Sequence, residues 1–280
     1  MTSLEQEFRE ELFDAIENDR LTLPTLPEVA LKVRETVNDP NVSAATLAQV
    51  ISEDAALAAR IIKVANSPLL RGRVAVDNLQ LAVSRLGLTF VRNLATGLAM
   101  EQMFHANSPV IEDRLRESWE HSKEVASICH VLTLHYTNLK ADQSLLAGLV
   151  HEIGILPILT LAEEYDDLME NKAAIDSIVA SLHPSVGTKI LQAWDFPLEL
   201  LEVPAGYLDF ERDSGSHTPD YVDVVTVANV QSYAGTDHPL ANVAEQHIVA
   251  FEKLGLSTEV DVHEVEELAE ELTEAKLLLG

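Results

Sequence analysis

The sequence predicts an all-helical protein, and two observations carry that prediction. Apolar residues recur about every 3.6 positions through most of the 280 residues, which is the spacing that places side chains on one face of a helix. Serine, threonine and aspartate repeatedly stand just before these segments, where their side-chain oxygens can cap the first turn of a helix. We therefore expect helices nearly throughout the chain and no substantial sheet.

The N-terminal part of the chain is predicted to form six helices. Their approximate ranges are 3–18, 28–37, 43–52, 54–65, 77–87 and 88–104. The second helix follows a turn in which Thr25 or Leu26 is the expected N-cap. Pro27 then stands in the first turn, a position that tolerates the missing N–H of proline.

Capping residues predict three helix starts and one helix end in this part of the chain. Ser43, Asp54 and Asp77 each precede an apolar helical segment. We expect their side-chain oxygens to accept hydrogen bonds from backbone N–H groups of the first turn. Gly87 follows the fifth segment, where glycine readily adopts the left-handed conformation that ends a helix.

The segment 105–109 is predicted to separate two helical subdomains, residues 1–106 and residues 107–280. Beyond it the pattern predicts helices at 119–136, 142–153, 183–194, 222–233 and 257–279. The valine-rich run at 222–233 is also compatible with a strand, but its all-helical neighbourhood favours a helix.

The last predicted helix is acidic and amphipathic. Its apolar face consists of Val262, Val265, Leu268 and Leu272. A helix of this composition gains little stability alone, so we expect this face to pack on the body of the protein or on a second subunit.

The strongest compositional signal is a formal net charge of −27. A surface this acidic repels nucleic-acid backbones and anionic lipid heads, so we expect neither nucleic-acid binding nor membrane docking. The segment 145–162 is very apolar, but His151, Glu152 and Pro157 interrupt it, which indicates buried helices joined by a turn. The single cysteine, Cys129, rules out an intramolecular disulfide, and the acidic N-terminus has no signal-peptide core; both fit a cytoplasmic protein.

Two groups of short motifs follow one another along the chain. The first group consists of LPTLP at 23–27, ISEDAALAAR at 51–60, VANSP at 64–68 and AVSRLG at 82–87. The second group consists of His121-Ser122, GLVHEIG at 148–154, and the segment from His183 to WDFP at 194–197. Each motif alone is weak, but their order and spacing make the chain similar to the HDOD family, the HD-related output domains of bacterial signalling proteins.

This resemblance implies a helical bundle that acts in signal transduction and regulation, often without demonstrated catalysis. The second half of the family is related to HD-type metal-dependent phosphohydrolases, whose ligands include a first His, an adjacent His-Asp pair and a late Asp. The positions that match in this chain are His121, His151, Glu152, His183 and Asn229.

Three features of the chain depart from the hydrolase pattern. Glu152 stands where the pair has Asp, and its side chain is longer by one methylene. Asn229 stands at the late Asp and offers a neutral carbonyl, which binds a dication far less well than a carboxylate. The pair of histidines that some relatives carry has no counterpart in residues 203–207.

Each matched histidine could instead have a purely structural role, in packing or hydrogen bonding. His121 lies on the apolar stripe of its helix and could be a core histidine bonded to a backbone carbonyl. His151 and Glu152 could be a polar pair at a helix end, and His183 could cover the edge of the core from a first turn that contains Pro184. The other histidines match no motif and are expected on the surface or in packing: His105, His130, His135, His217, His238, His247 and His263.

The favoured hypothesis is a non-catalytic regulatory domain with a degenerate HD-like cleft, because two ligand positions are altered. It would contact an unidentified signalling protein and could form a homo-oligomer. No cofactor is expected, although His121, His151 and Glu152 could hold a divalent metal weakly. The alternative is a metal-dependent phosphohydrolase acting on a nucleotide or another phosphoester. A third hypothesis is a small-molecule sensor that uses the cleft between the two halves.

Overall fold

The computed structural model describes residues 3–18, 23–169, 171–243 and 247–279. Within these ranges the regular structure is helical and contains no strand, which confirms the predicted fold class. The valine-rich run is a helix, as its helical neighbourhood predicted.

The described residues before 109 form six α-helices, followed by a short 3-10 helix at Glu101–Met103. The α-helices are α1 (Ser3–Glu17), α2 (Glu28–Asn38), α3 (Ala44–Ile51), α4 (Ala55–Ala65), α5 (Leu79–Leu86) and α6 (Leu88–Met100).

The described part of the second half adds ten α-helices and a 3-10 helix at Pro239–Asn242. The α-helices are α7 (Pro109–Tyr136), α8 (Ala141–Val150), α9 (Ile155–Ala162), α10 (Asp166–Met169), α11 (Lys172–Ala193), α12 (Leu198–Leu201), α13 (Val203–Gly206), α14 (Tyr221–Ser232), α15 (Val249–Leu254) and α16 (Glu266–Leu279).

Side-chain caps start α3, α4 and α5. The oxygens of Ser43 and Asp54 accept first-turn N–H bonds at 3.1 and 3.0 Å, which confirms two predicted caps. Helix α5 is capped by Asn78, at 2.9 Å, so the prediction of Asp77 is wrong by one residue. Gly87 has a φ of +87°, but its ψ of 153° is not left-handed helical, because α6 begins directly at the next residue.

Two other helix starts differ from the prediction. The N-cap of α2 is Pro27, so the predicted caps Thr25 and Leu26 are wrong; the carbonyl of Pro27 accepts the first backbone bonds of the helix. Helix α7 begins at Pro109, ten residues before its predicted start. The helix extends there because the buried apolar stripe continues back to Ile111 and proline suits the first helical position.

Helix α11 has 22 residues and begins 11 residues before its predicted start. It starts after Asn171, whose side chain caps it, so His183 and Pro184 lie inside the helix and do not open it. The preceding turns bury Ile178 and Leu182 against the core. Burial of this stripe outweighs the hydrogen bond that proline, lacking an N–H, does not make.

Helix α7 lies at the centre of the second half and packs against α8, α14 and α16. Its contact with α8 is a backbone contact, since a methyl group on Gly148 would lie 2.4 Å from Cα of Ala126. The two helices could not approach this closely if residue 148 had a side chain. This contact positions the turn that follows α8 beside α7.

The predicted boundary between residues 106 and 107 falls in the connection between the 3-10 helix and α7. One continuous group of buried apolar residues extends to both sides of it. Helix α1 packs on α11, and α16 packs on α4 as well as on α7. The division into two subdomains therefore stays a prediction.

The C-terminal segment packs on the body of the same chain. Val262, Leu268 and Leu272 are buried, and Val265 is partly buried against the core. The helix itself, α16, is shorter than predicted, because residues 257–265 form turns.

One described stretch, Ala141–Ala162, is long and apolar enough by length and composition to cross a membrane. Nearly all of it is buried inside the protein. It consists of α8 and α9 joined by a turn at 151–154, as the interrupting polar residues predicted.

Candidate functional site

Four elements converge on the residues that the sequence singled out. His121 lies on α7, His151 and Glu152 lie in the turn after α8, His183 on α11 and Asn229 on α14. One ligand atom of each of the first three lies within 4.8 Å of the others. The structure thus brings together residues that are up to 108 positions apart.

Two glycines fix the turn that carries two of these residues. A methyl group on Gly154 would lie 2.1 Å from the carbonyl oxygen of His183 and 2.6 Å from the nitrogen of Gly187, both on α11. Gly148 makes the matching close contact with α7. The turn is therefore held between α7 and α11 by backbone contacts.

His151 is completely buried beneath the site. Its Nδ1–H donates to the carbonyl of Gly148 at 2.7 Å, which leaves Nε2 with the lone pair. Nε2 has no hydrogen-bond partner in the described structure. Burial, and then the neighbouring His121, lower the pKa of His151 to about 3, so the ring is neutral.

His121 is held by the residue that replaces the late aspartate. Its Nε2 donates to Oδ1 of Asn229 at 3.0 Å, and the hydroxyl of Tyr233 lies 3.3 Å from the same nitrogen. The Tyr233 ring lies between two imidazoles, with centroids 5.0 Å from His121 and 3.7 Å from His238. One ring nitrogen of His121 is therefore already engaged within the protein.

Both oxygens of Glu152 also have protein partners. Ser118 Oγ donates to Oε2 at 3.1 Å, and the hydroxyl of Tyr207 donates to Oε1 at 3.5 Å. The Tyr207 hydroxyl is buried, and burial followed by the charge of Glu152 raises its pKa well above the ordinary value. The tyrosine is therefore a neutral hydrogen-bond donor to the carboxylate.

His183 joins the cluster through the same tyrosine. Its Nε2 lies 3.4 Å from the Tyr207 hydroxyl, and its buried Nδ1 has no partner among the described residues. Burial lowers the pKa of His183 to about 4, although the charge of Glu152 acts in the opposite direction. His183 is thus a second neutral, buried imidazole.

A cavity of about 540 Å³ opens onto the outer side of this cluster. His121, Glu152, Tyr233 and His238 contribute to its lining, whereas His151 and His183 lie behind it. The charged side chains of the lining are Arg114, Lys172, Glu117, Glu152 and Asp176. The lining therefore carries two positive and three negative charges.

The family model of the HDOD domain matches residues 23–206. The chain belongs to the HDOD family. This match covers both groups of motifs before Asn229, and it agrees with the observed fold.

Three relatives of this HDOD protein differ in sequence identity and in the share of each chain that the match covers. A protein of Shewanella amazonensis SB2B, provisionally named a metal-dependent phosphohydrolase, is 33% identical with a TM-score of 0.87 over 100% of both chains. A protein of Marinobacter aquaeolei VT8, provisionally named a signal transduction protein, is 20% identical with a TM-score of 0.65 over 99% of this chain and 66% of its own. An uncharacterized protein of Treponema pallidum (strain Nichols) is 24% identical over 62% of this chain. That match spans only 35% of the Treponema protein.

The relationship to HD-type phosphohydrolases implies a divalent metal, and the HDOD chain fits one only in part. The unpartnered Nε2 of His151, together with His121 and Glu152, forms a two-histidine, one-carboxylate set that suits a single ion. Asn229 adds no charge to it. A hydrolytic centre gathers carboxylates to hold its metal and orient the water that the metal activates. The three residues therefore suit one ion, and the set lacks the late carboxylate of the hydrolase pattern.

Three members of the site, Tyr207, Tyr233 and Ser118, were not predicted from the sequence. Tyr207 belongs to the segment 203–207, which lacks the histidine pair, and Tyr233 ends the predicted helix 222–233. Ser118 is one turn before His121 on the same stripe of α7, a spacing that could have identified it. His238, expected on the surface or in packing, stacks on Tyr233 and also lines the cavity.

The six other histidines lie outside the cluster. His130 is buried, with Nδ1 3.2 Å from the carbonyl of Ala141. Four lie beside glutamates on the outside of the protein: His105, His135, His247 and His263. His217 is exposed on the loop before α14. These positions agree with surface and packing roles.

Proposed function

We propose that this HDOD domain is a non-catalytic regulator in signal transduction that acts through contacts with another protein. The observation that carries the proposal is the 3.0 Å hydrogen bond between Asn229 and His121. A neutral amide stands where the hydrolase pattern has a carboxylate, and it engages one of the two ring nitrogens of His121.

The second altered position supports the same proposal. Glu152 is anchored by the hydroxyls of Ser118 and Tyr207, so its carboxylate links α7, the turn after α8 and the end of α13. Buried or half-buried polar groups that satisfy one another fix the relative positions of helices. Together with Asn229 on α14, these residues therefore serve the packing of four elements without a metal.

Under this proposal, the partner is an unidentified signalling protein, with self-association as a further possibility. The net charge of −27 disfavours nucleic acid and membrane surfaces as partners. A cytoplasmic location is part of the same proposal. A duplex DNA of random sequence should not bind at physiological salt.

The test is a measurement of metal and turnover on protein purified without metal-affinity steps. We expect less than one metal per chain and no hydrolysis of a phosphodiester with added manganese or nickel. His121→Ala should lower stability measurably, because it removes the partner of both Asn229 and Tyr233. Stoichiometric metal, together with turnover that His151→Ala abolishes, would overturn the proposal.

A metal-dependent phosphohydrolase is the alternative, and two observations favour it. The ligand atoms of His121, His151 and Glu152 lie within 4.8 Å of one another, and Arg114 and Lys172 line the adjoining cavity, where they could receive a phosphoester. The same cavity could instead serve a small-molecule sensor. A ligand that binds there without being hydrolysed would distinguish the sensor from the enzyme.

A further inference from the structure

A separate cavity lies where the two halves of the chain meet, and it is not part of the HD-like site. Its volume is about 360 Å³, within the range of pockets that bind small molecules. Its walls come from α2, α6, α8 and the segment 195–198 that joins α11 to α12. Elements of both halves therefore form it.

The charge of this cavity is opposite to that of the protein as a whole. Its lining contains two arginines, Arg34 and Arg92, and one aspartate, Asp195. The cavity at His121, by contrast, has two basic and three acidic residues. In a chain with a net charge of −27, two guanidinium groups in one recess form a local positive site.

Neither arginine forms an ion pair within the described structure. Arg34 donates to the carbonyls of Trp194 and Asp195, both at 2.7 Å, and its guanidinium lies 5.0 Å from the centre of the Phe196 ring. Burial holds the pKa of Arg34 below its ordinary value; the charge of Asp195 acts the other way, and the charge of Arg92 lowers the pKa further. The two positive charges are thus close enough to repel each other.

Arg92 has N–H groups that no other residue of the described structure accepts. Its Nε donates to Oδ1 of Asn93 at 3.1 Å, and its two terminal nitrogens have no protein partner among the described residues. Asn93 is itself fixed by a 2.8 Å bond to Asp142. This chain of bonds orients the guanidinium at the wall of the cavity.

Part of the apolar lining of the cavity is exposed, so a ligand could contact it. Leu198 is 81% exposed at the edge of the cavity, next to Pro197, while Leu146 is buried beneath it. An apolar surface beside two guanidinium groups suits a molecule that has both an anionic and an apolar part.

We propose that this cavity binds a small organic phosphate, with the phosphate between Arg34 and Arg92 and the apolar part on Pro197 and Leu198. Planar guanidinium groups with several N–H donors match the oxygens of a phosphate better than any other side chain. Such an anion would also relieve the repulsion between the two arginines.

The position of the cavity gives the ligand a structural effect. It would join α2 and α6 of the first half to the segment directly after α11, the helix that carries His183. Binding would therefore stabilise the contact between the halves and raise the unfolding temperature with ligand concentration. The ligand would bind outside the HD-like site, so its binding is independent of whether that site is catalytic.

The experiment is calorimetric titration of the full chain at low salt with three probes: AMP, inorganic phosphate and uncharged adenosine. We expect AMP to bind at least about tenfold more tightly than adenosine, and its affinity to fall with added salt. Arg92→Gln should weaken AMP about tenfold or more. Leu198→Ser, at an exposed position that leaves the fold intact, should weaken AMP but not phosphate.

Two controls make the result decisive. Arg73→Gln removes the same charge from an exposed loop outside the cavity and should leave the affinity unchanged. Lys172→Gln alters the cavity at His121 and should also leave the affinity for AMP unchanged.

The proposal is wrong if adenosine binds as well as AMP, if neither phosphate probe binds at about 10 mM, or if Lys172→Gln abolishes binding while Arg92→Gln does not. Thermal unfolding of each variant checks its fold, and Arg92→Lys, which keeps the charge, should bind more tightly than Arg92→Gln.

Discussion

Replacing Asn229 by aspartate reverses the change on which the proposed function depends. The two side chains have nearly the same shape, so the substitution places a carboxylate about where Oδ1 now lies, 3.0 Å from Nε2 of His121. We expect the variant to bind manganese or nickel much more tightly than the natural chain. We also expect it to be less stable when no metal is added.

The magnitude follows from burial and distance. Asn229 is only 2% exposed, so the new charge acts at low effective dielectric. Two unit charges about 4 Å apart interact by about 4 kcal/mol at an effective dielectric constant of about 20. Desolvation of the carboxylate offsets part of this. A net gain of about 3 to 4 kcal/mol corresponds to binding that is roughly 100- to 1000-fold tighter.

The assay is calorimetric titration of each metal into both proteins, with thermal unfolding as a second measurement. Without metal, the buried carboxylate should lower the free energy of unfolding by roughly 2 kcal/mol. The double variant Asn229→Asp/His151→Ala serves as the control, because it lacks the unpartnered imidazole and should lose the gain. Equal metal affinity of Asn229→Asp and the natural chain would refute the argument that charge at this position limits metal binding.

Three further predictions concern stability. Gly148→Ala should lower the free energy of unfolding by about 1–3 kcal/mol in urea titrations, since its methyl would lie 2.4 Å from the backbone of α7, whereas Gly72→Ala, which meets only an arginine side chain at 3.4 Å, should have little effect. Stability should fall as the pH drops below about 6.5, because His151 and His183 stay neutral when folded, with pKa values of about 3 and 4, and bind protons near pH 6.5 when unfolded. The loss should reach about 2 kcal/mol for each histidine by pH 5, and replacing both by glutamine should flatten the profile. Asp195→Gly should raise the unfolding temperature and Asp195→Ala should lower it, because this residue has a φ of +52°, where glycine carries no steric cost; the opposite order would contradict this reasoning.

The fold class could be predicted because it depends on periodicity and caps, which are local. Helix ends were less predictable where two neighbouring residues could each serve as the cap. Asp77 and Asn78 are both good caps, and only the register of the buried stripe on α5 selects Asn78. Likewise, Pro184 indicated a helix start, but buried residues on both sides of it extend α11 across the proline.

The residues of the site that belong to recognisable sequence motifs could be predicted, and the others could not. His121, His151 and Glu152 follow from the resemblance to the HD pattern, but Tyr207 does not, because its contact with Glu152 depends on how α13 folds back over α11. Tyr233 could have been found, since it follows Asn229 by one helical turn and so lies on the same side of α14. Hydroxyl groups that reach a site from a different element carry no local sequence signal.

The two altered residues of the site act together, and this limits what a single reversal can restore. Asn229 engages His121, while the longer side chain of Glu152 reaches the hydroxyls of Ser118 and Tyr207. Aspartate at 229 returns a charge, but Glu152 remains anchored to both hydroxyls, away from the place a shorter carboxylate would occupy. Charge governs how tightly a metal is held, whereas the placement of both carboxylates governs the alignment of its activated water. Asn229→Asp alone should therefore bind metal without hydrolysing a phosphodiester, and turnover by this variant would show that Glu152 already stands in a catalytic position.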